Sequence, residues 1–415
     1  MNTPLLLAAL SLLLAGAAVL PGCLGVLKFL NKAKARPTNA FLVFFASGPV
    51  YLVSIGLLLV SLYLTYQQGA SWTMASIAAV GFVSISTFGF LLHTRFMFKP
   101  VKNPQYIFID EAIQRFGENE MIVGVLDRLG HPFAYIVRLA RRPHIVYQTE
   151  GDAPFIMTHC ILSNSSMSYE IDSQFRPDNV CVAAAIANNL VFYDRNSHCS
   201  IQQIYNGSLD KLRRLNCLPT VTTSLASWKS LYPESKVWNR PKEWRDTFYL
   251  NLLSRASAVD PNSPDLVYPL ERAPDPRLPL KACVMGIQIG RDTKAYPLES
   301  FRYNPLIEDT VGDEPVVFFA FRNSDFIQLF SRKVGQSQVL KFRCVHEVGF
   351  QDVETSSSWS CTGFCTAGKL KGTQLTPIPH YNRIFWCVWA DFFPSTVVFE
   401  EVKGNKSLSS EKKVN

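Results

Sequence analysis

The chain contains one short pattern twice: Ala134-Tyr135 followed by Gly151-Asp152-Ala153-Pro154, and Ala295-Tyr296 followed by Gly312-Asp313-Glu314-Pro315. The two copies lie 161 residues apart, and the same offset relates Trp228, Pro233 and Val237 to Trp389, Pro394 and Val398. Self-similarity at a fixed offset indicates that one structural unit is repeated. The sequence therefore predicts two pseudo-symmetric repeats, at residues 105–240 and 282–400, packed about a pseudo-twofold axis and joined by a linker at residues 241–281 that is rich in Pro and Asp.

Each repeat is predicted to consist mainly of β-strands. Short runs of β-branched and aromatic residues, bounded by Gly, Pro and Asp, are typical of strands. In the first repeat they occur at residues 121–125, 133–137, 154–158 and 190–193, and in the second at residues 284–287, 315–321, 326–330 and 396–399. Helical periodicity is weak outside residues 110–116 and 209–215. The predicted fold class of the soluble part is therefore a mainly β domain made of two repeats.

The first hundred residues are apolar enough for a membrane anchor. Three uncharged runs cover residues 4–20, 41–66 and 70–92, and as helices they have the length needed to cross ~30 Å of hydrocarbon. We predict a membrane-anchored protein with three N-terminal transmembrane helices within residues 1–100. The first run has a second interpretation as a cleaved signal peptide, because Leu20-Pro21-Gly22-Cys23 is similar to a lipoprotein cleavage site.

Basic residues beside the apolar runs predict the orientation. The loop at residues 28–36 carries four Lys or Arg residues and the turn at residues 67–72 carries none. The positive-inside rule then places the soluble domain in the cytoplasm. The alternative is an extracytoplasmic domain, in which Asn164 and Asn206 would be glycosylation acceptors.

The net charge of +8 includes these flanking residues and a basic tail at residues 401–415, which is predicted to be disordered. Little basic excess remains for a nucleic-acid face. The expected partners are therefore the lipid bilayer and a small-molecule or protein ligand, and no nucleic acid.

A series of motifs in the soluble part occurs in a family-like order. These motifs are Glu111-Ala112, Val123-Gly124-Val125, Ala134-Tyr135, His144-Ile145-Val146, Thr158-His159-Cys160, Asp194-Arg195 and Phe385-Trp386-Cys387-Val388-Trp389. Their order over residues 105–400 resembles an uncharacterised family, domain of unknown function 3179. The resemblance implies the identity of the domain but no reaction. Members of that family usually have a Cys-x-x-Cys motif after the central strand, whereas here Ser163 stands three residues after Cys160, which argues against a dithiol redox pair or a two-thiolate metal corner.

The candidate site residues lie in the first repeat. His144 and Cys160 flank a predicted strand pair, and His159 adjoins Cys160. A His near a thiol can lower the thiol pKa and create a nucleophile or a pair of soft-metal ligands. We therefore take His144, Cys160 and Asp194 as candidate catalytic residues and His159 with Cys160 as candidate metal ligands, whereas the cofactor is unknown.

Each of these residues also has a structural interpretation. The thiol would be a buried Cys beside a hydrogen-bonded His. Asp194 with Ser197, and Asp352 with Thr355, match a turn in which the carboxylate accepts backbone N–H groups after a strand. The aromatic clusters around Trp228 and Trp389 can plug the end of a β-unit or form a ligand platform.

A second group of thiols lies in the second repeat. Cys344-x-His346 and Cys361-x3-Cys365 contain the ligand types of a zinc site, and the alternatives are a disulfide in an extracytoplasmic domain or free thiols. Two classes of function stay open at this level. The first is a membrane-anchored binding or scaffold module, and the second is a thiol- or metal-dependent enzyme that uses the His/Cys site of the first repeat.

Overall fold

The fold is given by a computed structural model, which describes residues 3–24, 47–69, 71–92, 94–149, 151–171, 180–209, 212–253, 260–302, 304–321, 325–335, 338–346 and 349–400. The basic loop at residues 28–36 and the predicted disordered tail at residues 401–415 lie outside the described residues. The chain divides into two compact units, residues 1–274 and residues 275–415. The division between Pro274 and Asp275 falls within the segment that the sequence predicts as a linker.

Three long apolar helices come first in the chain: α1 (Thr3–Leu24), α2 (Ser47–Gln67) and α3 (Trp72–Leu92). Serine side chains join α1 to α2, because Ser11 Oγ donates to the carbonyl of Ser54 and Ser61 Oγ donates to the carbonyl of Pro4, both at 2.7 Å. Such hydrogen bonds between apolar helices satisfy hydroxyl groups that have no water nearby. The three helices lie within the predicted apolar runs or overlap them, and α1 packs against α2.

Two of these helices, rather than three, are long and apolar enough to cross a membrane. By length and composition they are Gly48–Gln67 and Trp72–Leu91, whereas the apolar helical stretch Thr3–Val19 is shorter. Although α1 as a whole has 22 residues, this apolar stretch rises only about 25 Å at ~1.5 Å per residue, so it lies at the lower limit of the lengths that cross ~30 Å of hydrocarbon. The prediction of three spans is corrected to two candidate spans.

The rest of the first unit is mainly β-structure, which agrees with the predicted fold class. In chain order its elements are α4 (Thr94–Met97), β1 (Gln105–Phe108), α5 (Ile109–Phe116), β2 (Met121–Leu126), β3 (Pro132–Ile136), α6 (Val137–Ala140), β4 (Ile145–Gln148), β5 (Phe155–Cys160), β6 (Ser165–Glu170), β7 (Val180–Ile186), β8 (Asn189–Asp194), β9 (Cys199–Gln202), a 3₁₀ turn (Gln203–Tyr205), β10 (Gly207–Ser208), β11 (Cys217–Leu218), β12 (Thr220–Ser224), α7 (Leu225–Leu231), β13 (Lys236–Asn239) and α8 (Trp244–Leu253).

These strands form three sheets, with the orders β1-β13-β3-β2-β12, β10-β9-β8-β7 and β11-β6-β5-β4. Strands β5 and β8 are buried along their whole lengths, which explains why their sequences are nearly continuous apolar runs. The sheets that contain β6 and β8 pack face to face, since the rings of Tyr169 and Phe192 lie 6.1 Å apart. His159, Cys160 and Asp194 lie at the ends of these two buried strands, and His144 immediately precedes β4.

The second unit is also mainly β-structure. Its elements are β14 (Cys283–Ile289), β15 (Asp292–Pro297), a 3₁₀ turn (Leu298–Phe301), β16 (Leu306–Val311), β17 (Glu314–Ala320), β18 (Ile327–Ser331), β19 (Lys333–Val334), β20 (Gln338–Val339), β21 (Phe342–His346), β22 (Gly349–Asp352), β23 (Ser358–Trp359), β24 (Cys365–Ala367), β25 (Tyr381–Phe385), α9 (Trp386–Phe392) and β26 (Val397–Val398). The sheet orders are β25-β14-β15-β26, β16-β17-β18, β19-β20 and β21-β22-β23-β24. A core around Met285, Tyr296, Phe318 and Leu329 holds the unit together.

A tryptophan covers a strand glycine in each unit. A Cβ atom on Gly124 of β2 would lie 2.4 Å from Cζ3 of Trp228, and one on Gly286 of β14 would lie 2.5 Å from Cε3 of Trp389. The indole N–H of Trp228 donates to Ser235 Oγ at 2.8 Å, and that of Trp389 donates to Thr396 Oγ1 at 3.0 Å. Both tryptophans therefore pack on the face of a sheet, over a glycine that lies within a strand.

Candidate functional site

The two histidines of the candidate site lie side by side where β4 and β5 pair. His144 immediately precedes β4, and its carbonyl accepts the backbone N–H of His159 at 2.8 Å. Nδ1 of His144 lies 3.0 Å from the carbonyl oxygen of His159. Because a carbonyl oxygen only accepts, Nδ1 carries the proton and Nε2 does not. His144 also has a positive φ of 74°, a left-handed backbone conformation that only a few per cent of non-glycine residues adopt.

Burial keeps both imidazoles neutral. The pKa of His144 is lowered to about 4, mainly by burial, while the hydrogen bond to the His159 backbone raises it and the charge of Arg142 lowers it further. The pKa of His159 is lowered to about 3, mainly by burial, and also by electrostatic coupling to His144 and by the positive charge of Arg141. His159 Nδ1 forms a hydrogen bond of 2.9 Å with Ser166 Oγ. At neutral pH neither imidazole supplies the positive charge that would activate a neighbouring thiol.

Cys160 is a protonated, enclosed thiol. Only 3% of the residue is exposed, and its Sγ donates to the carbonyl of Asn188 at 3.6 Å. Burial raises the thiol pKa, although hydrogen bonds from the Ser163 side chain and nearby backbone groups act in the opposite direction. The residue that replaces the second cysteine of the family motif therefore helps to solvate Cys160.

The candidate site is closed to water. His144, His159 and Cys160 are all buried. The cause is the stacking of two sheets over β5, with the ring of Phe98 4.6 Å from the His144 imidazole. A working thiol needs access and a stabilised thiolate, and this arrangement provides neither.

Asp194 lies at the end of β8 and binds the turn that follows. It is fully buried and accepts the backbone N–H of Asn196 at 3.1 Å and the hydroxyl of Ser197 at 2.6 Å. Asp352 in the second unit accepts the hydroxyl of Thr355 at 3.0 Å and the indole N–H of Trp359 at 2.9 Å. Both carboxylates thus accept hydrogen bonds from the turn that follows them, and Asp194 also pairs with Arg213 at 3.4 Å.

A buried polar network beside Cys160 was not predicted. Gln203 Nε2 donates to Thr158 Oγ1 at 2.9 Å, and Gln203 Oε1 accepts from Ser165 Oγ at 2.9 Å and from Asn189 Nδ2 at 3.2 Å. All four residues are buried, so the network joins the two stacked sheets by satisfied hydrogen bonds. The sequence signal for it was weak: polar side chains in otherwise apolar strands.

Within the described residues, no group of three or more His, Cys, Asp and Glu side chains could hold a metal ion. His159 and Cys160, the candidate metal ligands, are consecutive strand residues. In the second unit Cys344 is exposed, whereas Cys361 and Cys365 are buried and are free thiols, and the side chain of His346 lies outside the described residues. Burial raises the pKa of the Cys361 thiol to about 12, so this thiol is protonated at neutral pH.

The fold and the site define the class of protein. It is a mainly β domain that follows apolar N-terminal helices, and its candidate His and Cys residues are buried and neutral. The model of the family described as protein of unknown function (DUF3179) matches residues 99–396. This range covers more than half of the chain, so the chain belongs to the DUF3179 family, as the order of its motifs predicted. Neither a curated protein nor a solved structure matches the chain.

Acid should destabilise the protein through His144, and the variant His144→Asn should show a smaller effect. Above about pH 6.5 the His144 imidazole is neutral in both the folded and the unfolded protein. Below about pH 6.5 the imidazole of the unfolded chain binds a proton, whereas that of the folded protein stays neutral down to its pKa of about 4. Each pH unit in this window removes about 1.4 kcal/mol of stability. Asn keeps an N–H donor and tolerates a positive φ. When the pH is lowered from about 7.5 to about 5.5, the unfolding free energy of the variant should therefore fall by about 1 kcal/mol less than that of the wild type. Equal losses in the two proteins would contradict the assignment.

Proposed function

We propose that this chain is an integral, multi-pass membrane protein whose β-rich domain is a binding or scaffold module for a small-molecule or protein ligand. The observation that carries the proposal is the closed state of the candidate site. Two neutral imidazoles and a protonated thiol, all without access to water, serve to hold strands together. The alternative, a thiol- or metal-dependent enzyme, would need these same groups to be open and ionised.

Exposed apolar side chains support the membrane location. Large residues on α2 and α3 point outward, among them Leu52, Leu59, Ile77, Val80 and Val83. Water would disfavour an apolar surface of this extent, whereas lipid tails would accept it. The basic loop at residues 28–36 favours a cytoplasmic β-domain under the positive-inside rule, with an extracytoplasmic domain as the alternative.

We further propose that the β-domain arose by duplication of one unit. The support is the order of equivalent strands: β13-β3-β2-β12 in the first unit and β26-β15-β14-β25 in the second. In the first unit the last strand, β13, runs parallel to β3, with Ala134 opposite Val237. In the second unit the last strand, β26, runs parallel to β15 in the same way, with Ala295 opposite Val398. The short helices α7 and α9 follow β12 and β25 at an offset of 161 residues.

Cys160 should resist alkylation in the folded protein. The full chain in detergent would be treated with a maleimide, and each labelled cysteine would be quantified by peptide mass spectrometry. Because the core must open before the thiol can react, we expect labelling of Cys160 to be roughly 100-fold slower or more than that of the exposed Cys344.

The variant His144→Ala separates the two functions. On the binding-module proposal, the substitution leaves Cys160 unreactive or, by loosening the core, speeds its labelling. An enzyme with a His-activated thiol gives the reverse result: rapid labelling of Cys160 in the wild type that slows in the variant.

A further inference from the structure

The helix α8 is fixed to the first unit by a buried group of charges. Asp246 on its buried side accepts two hydrogen bonds from Arg240, at 2.8 and 2.9 Å, and a further one from Arg142 Nε. Arg142 also pairs with Glu243 at 2.7 Å. Burial alone would raise the pKa of Asp246, but hydrogen bonds from Arg240, the Glu243 backbone and Arg142 lower it below its usual value. The carboxylate therefore stays ionised and holds the start of α8 in place.

The same arginine connects α8 to the end of a candidate membrane span. Arg142 Nη1 donates to the carbonyl of Met97 at 3.3 Å, and Met97 is the last residue of α4. Only a few residues separate Met97 from Leu92, where α3 ends. The ring centroids of Phe90 on α3 and Phe96 on α4 lie 3.7 Å apart, so Met97 lies close to the end of α3. If α3 crosses the bilayer, the start of α8 is therefore at the depth of the lipid headgroups.

Two aromatic side chains project from α8 into solvent. Trp244 is 66% exposed and Phe248 is 43% exposed, and their ring centroids lie 6.0 Å apart. Residues four positions apart share one face of a helix, whereas Asp246 lies on the face that packs against the domain. Exposed Lys99 and Lys242 are close in sequence to Met97 and Trp244, respectively.

We propose that α8 rests on the bilayer surface, with Trp244 and Phe248 inserted among the lipid headgroups and the nearby lysines facing anionic headgroups. The inference rests on the proposed membrane anchoring, and it adds a second contact that fixes how the β-domain stands on the membrane. Tryptophan is enriched at membrane interfaces because its ring is apolar and its N–H stays hydrated. Lysine adds electrostatic attraction to anionic lipid near the surface.

Position favours lipid over a protein partner. A protein ligand could bind any exposed face of the domain, but the clamp of Arg142 places this pair of aromatic residues beside the end of α3. The turn between β2 and β3 offers a matched contrast. Leu129 is also exposed there. The strand β3 leads from that turn to α6 and Arg142, and its length at ~3.3 Å per residue is about 17 Å. Leu129 therefore lies at the opposite end of β3 from Arg142.

The test is photocrosslinking in the full-length membrane protein. p-Benzoylphenylalanine would replace Leu59, Trp244 or Leu129 in three separate variants, which are reconstituted in vesicles of phosphatidylcholine and phosphatidylserine. Leu59 lies on the exposed face of α2 and reports the span itself. After irradiation, lipid adducts would be measured by mass spectrometry of the intact protein.

Adducts at Leu59 and Trp244, with at least tenfold less at Leu129, are the expected result. An adduct at Leu59 without one at Trp244 would overturn this inference and leave the membrane anchoring intact. The absence of an adduct at Leu59 would instead overturn the proposed spans. Equal adducts at Trp244 and Leu129, or crosslinks from Trp244 to a protein when the experiment is repeated in native membranes, would also reject the lipid contact.

Discussion

Replacing Asp246 with alanine should lower the free energy of unfolding by about 3–5 kcal/mol, the cost of removing one partner from a buried ion pair. The carboxylate lies between Arg142 and Arg240, whose side chains are only 6% and 11% exposed. Without Asp246, both guanidinium groups lose a charged acceptor that they share. The loss would be measured by denaturant unfolding of the full chain in detergent, followed by near-ultraviolet circular dichroism.

Glu243→Ala is the matched control for Asp246→Ala. Glu243 pairs with the same Arg142, but its side chain is 43% exposed, so water replaces the lost contact and the expected cost is under about 1 kcal/mol. Asp246→Asn keeps the shape of the side chain and part of its hydrogen bonding. Its loss of unfolding free energy should lie between the losses of Asp246→Ala and Glu243→Ala. Equal losses for Asp246→Ala and Glu243→Ala would show that the buried carboxylate does not organise this region.

Gly124→Ala and Gly286→Ala should each destabilise the protein by about 3 kcal/mol, at the upper end of the usual cost of overpacking a core. A methyl group at either position would overlap a buried indole, at 2.4 Å from Trp228 and 2.5 Å from Trp389. Neither ring can withdraw easily, because its N–H is hydrogen-bonded to Ser235 or Thr396. The measurement is the free energy of unfolding of each variant.

Double variants identify the indole as the cause. In a Trp228→Leu background, the further change Gly124→Ala should cost much less than it does alone, and the same should hold for Gly286→Ala with Trp389→Leu. Simple additivity would mean that the rings do not cause the effect. A large cost at Gly124 with none at Gly286 would count against the proposed duplication, because equivalent positions should respond alike.

The strands were the most predictable part of the fold. All eight predicted strand runs overlap strands of the structure, from β2 at residues 121–126 to β26 at residues 397–398, because alternation and turn residues are local signals. The helical periodicity at residues 209–215 has no helix in the part of that stretch that the structure describes, and the helices α4, α6, α7, α8 and α9 were missed. Each is short and rich in aromatic or polar residues, so packing rather than periodicity determines it, and α8 fell in the segment predicted as a linker.

The candidate site could be predicted only in part. The nearness of His144 and His159 follows from a strand, a turn and a returning strand, and all three are visible in the sequence. The closure of the site to water cannot be predicted from the sequence, because it depends on the sheet of β8, which packs over β5. The pairing of Arg142 with Asp246 joins residues 104 positions apart, and a single sequence carries no signal for such a pairing.

The position of β13 inside its sheet has a consequence for synthesis on the ribosome. This strand is inserted between β1 and β3, although it is made about 100 residues after β3. At ~5–20 residues per second, roughly 5–20 seconds pass between the synthesis of β3 and that of β13. During this time the edges of β1 and β3 that later pair with β13 have no hydrogen-bond partners. Such edges recruit strands from other chains. A translational stall or a premature stop before Lys236 would therefore yield an aggregation-prone fragment, which a cell would have to shield with a chaperone or degrade.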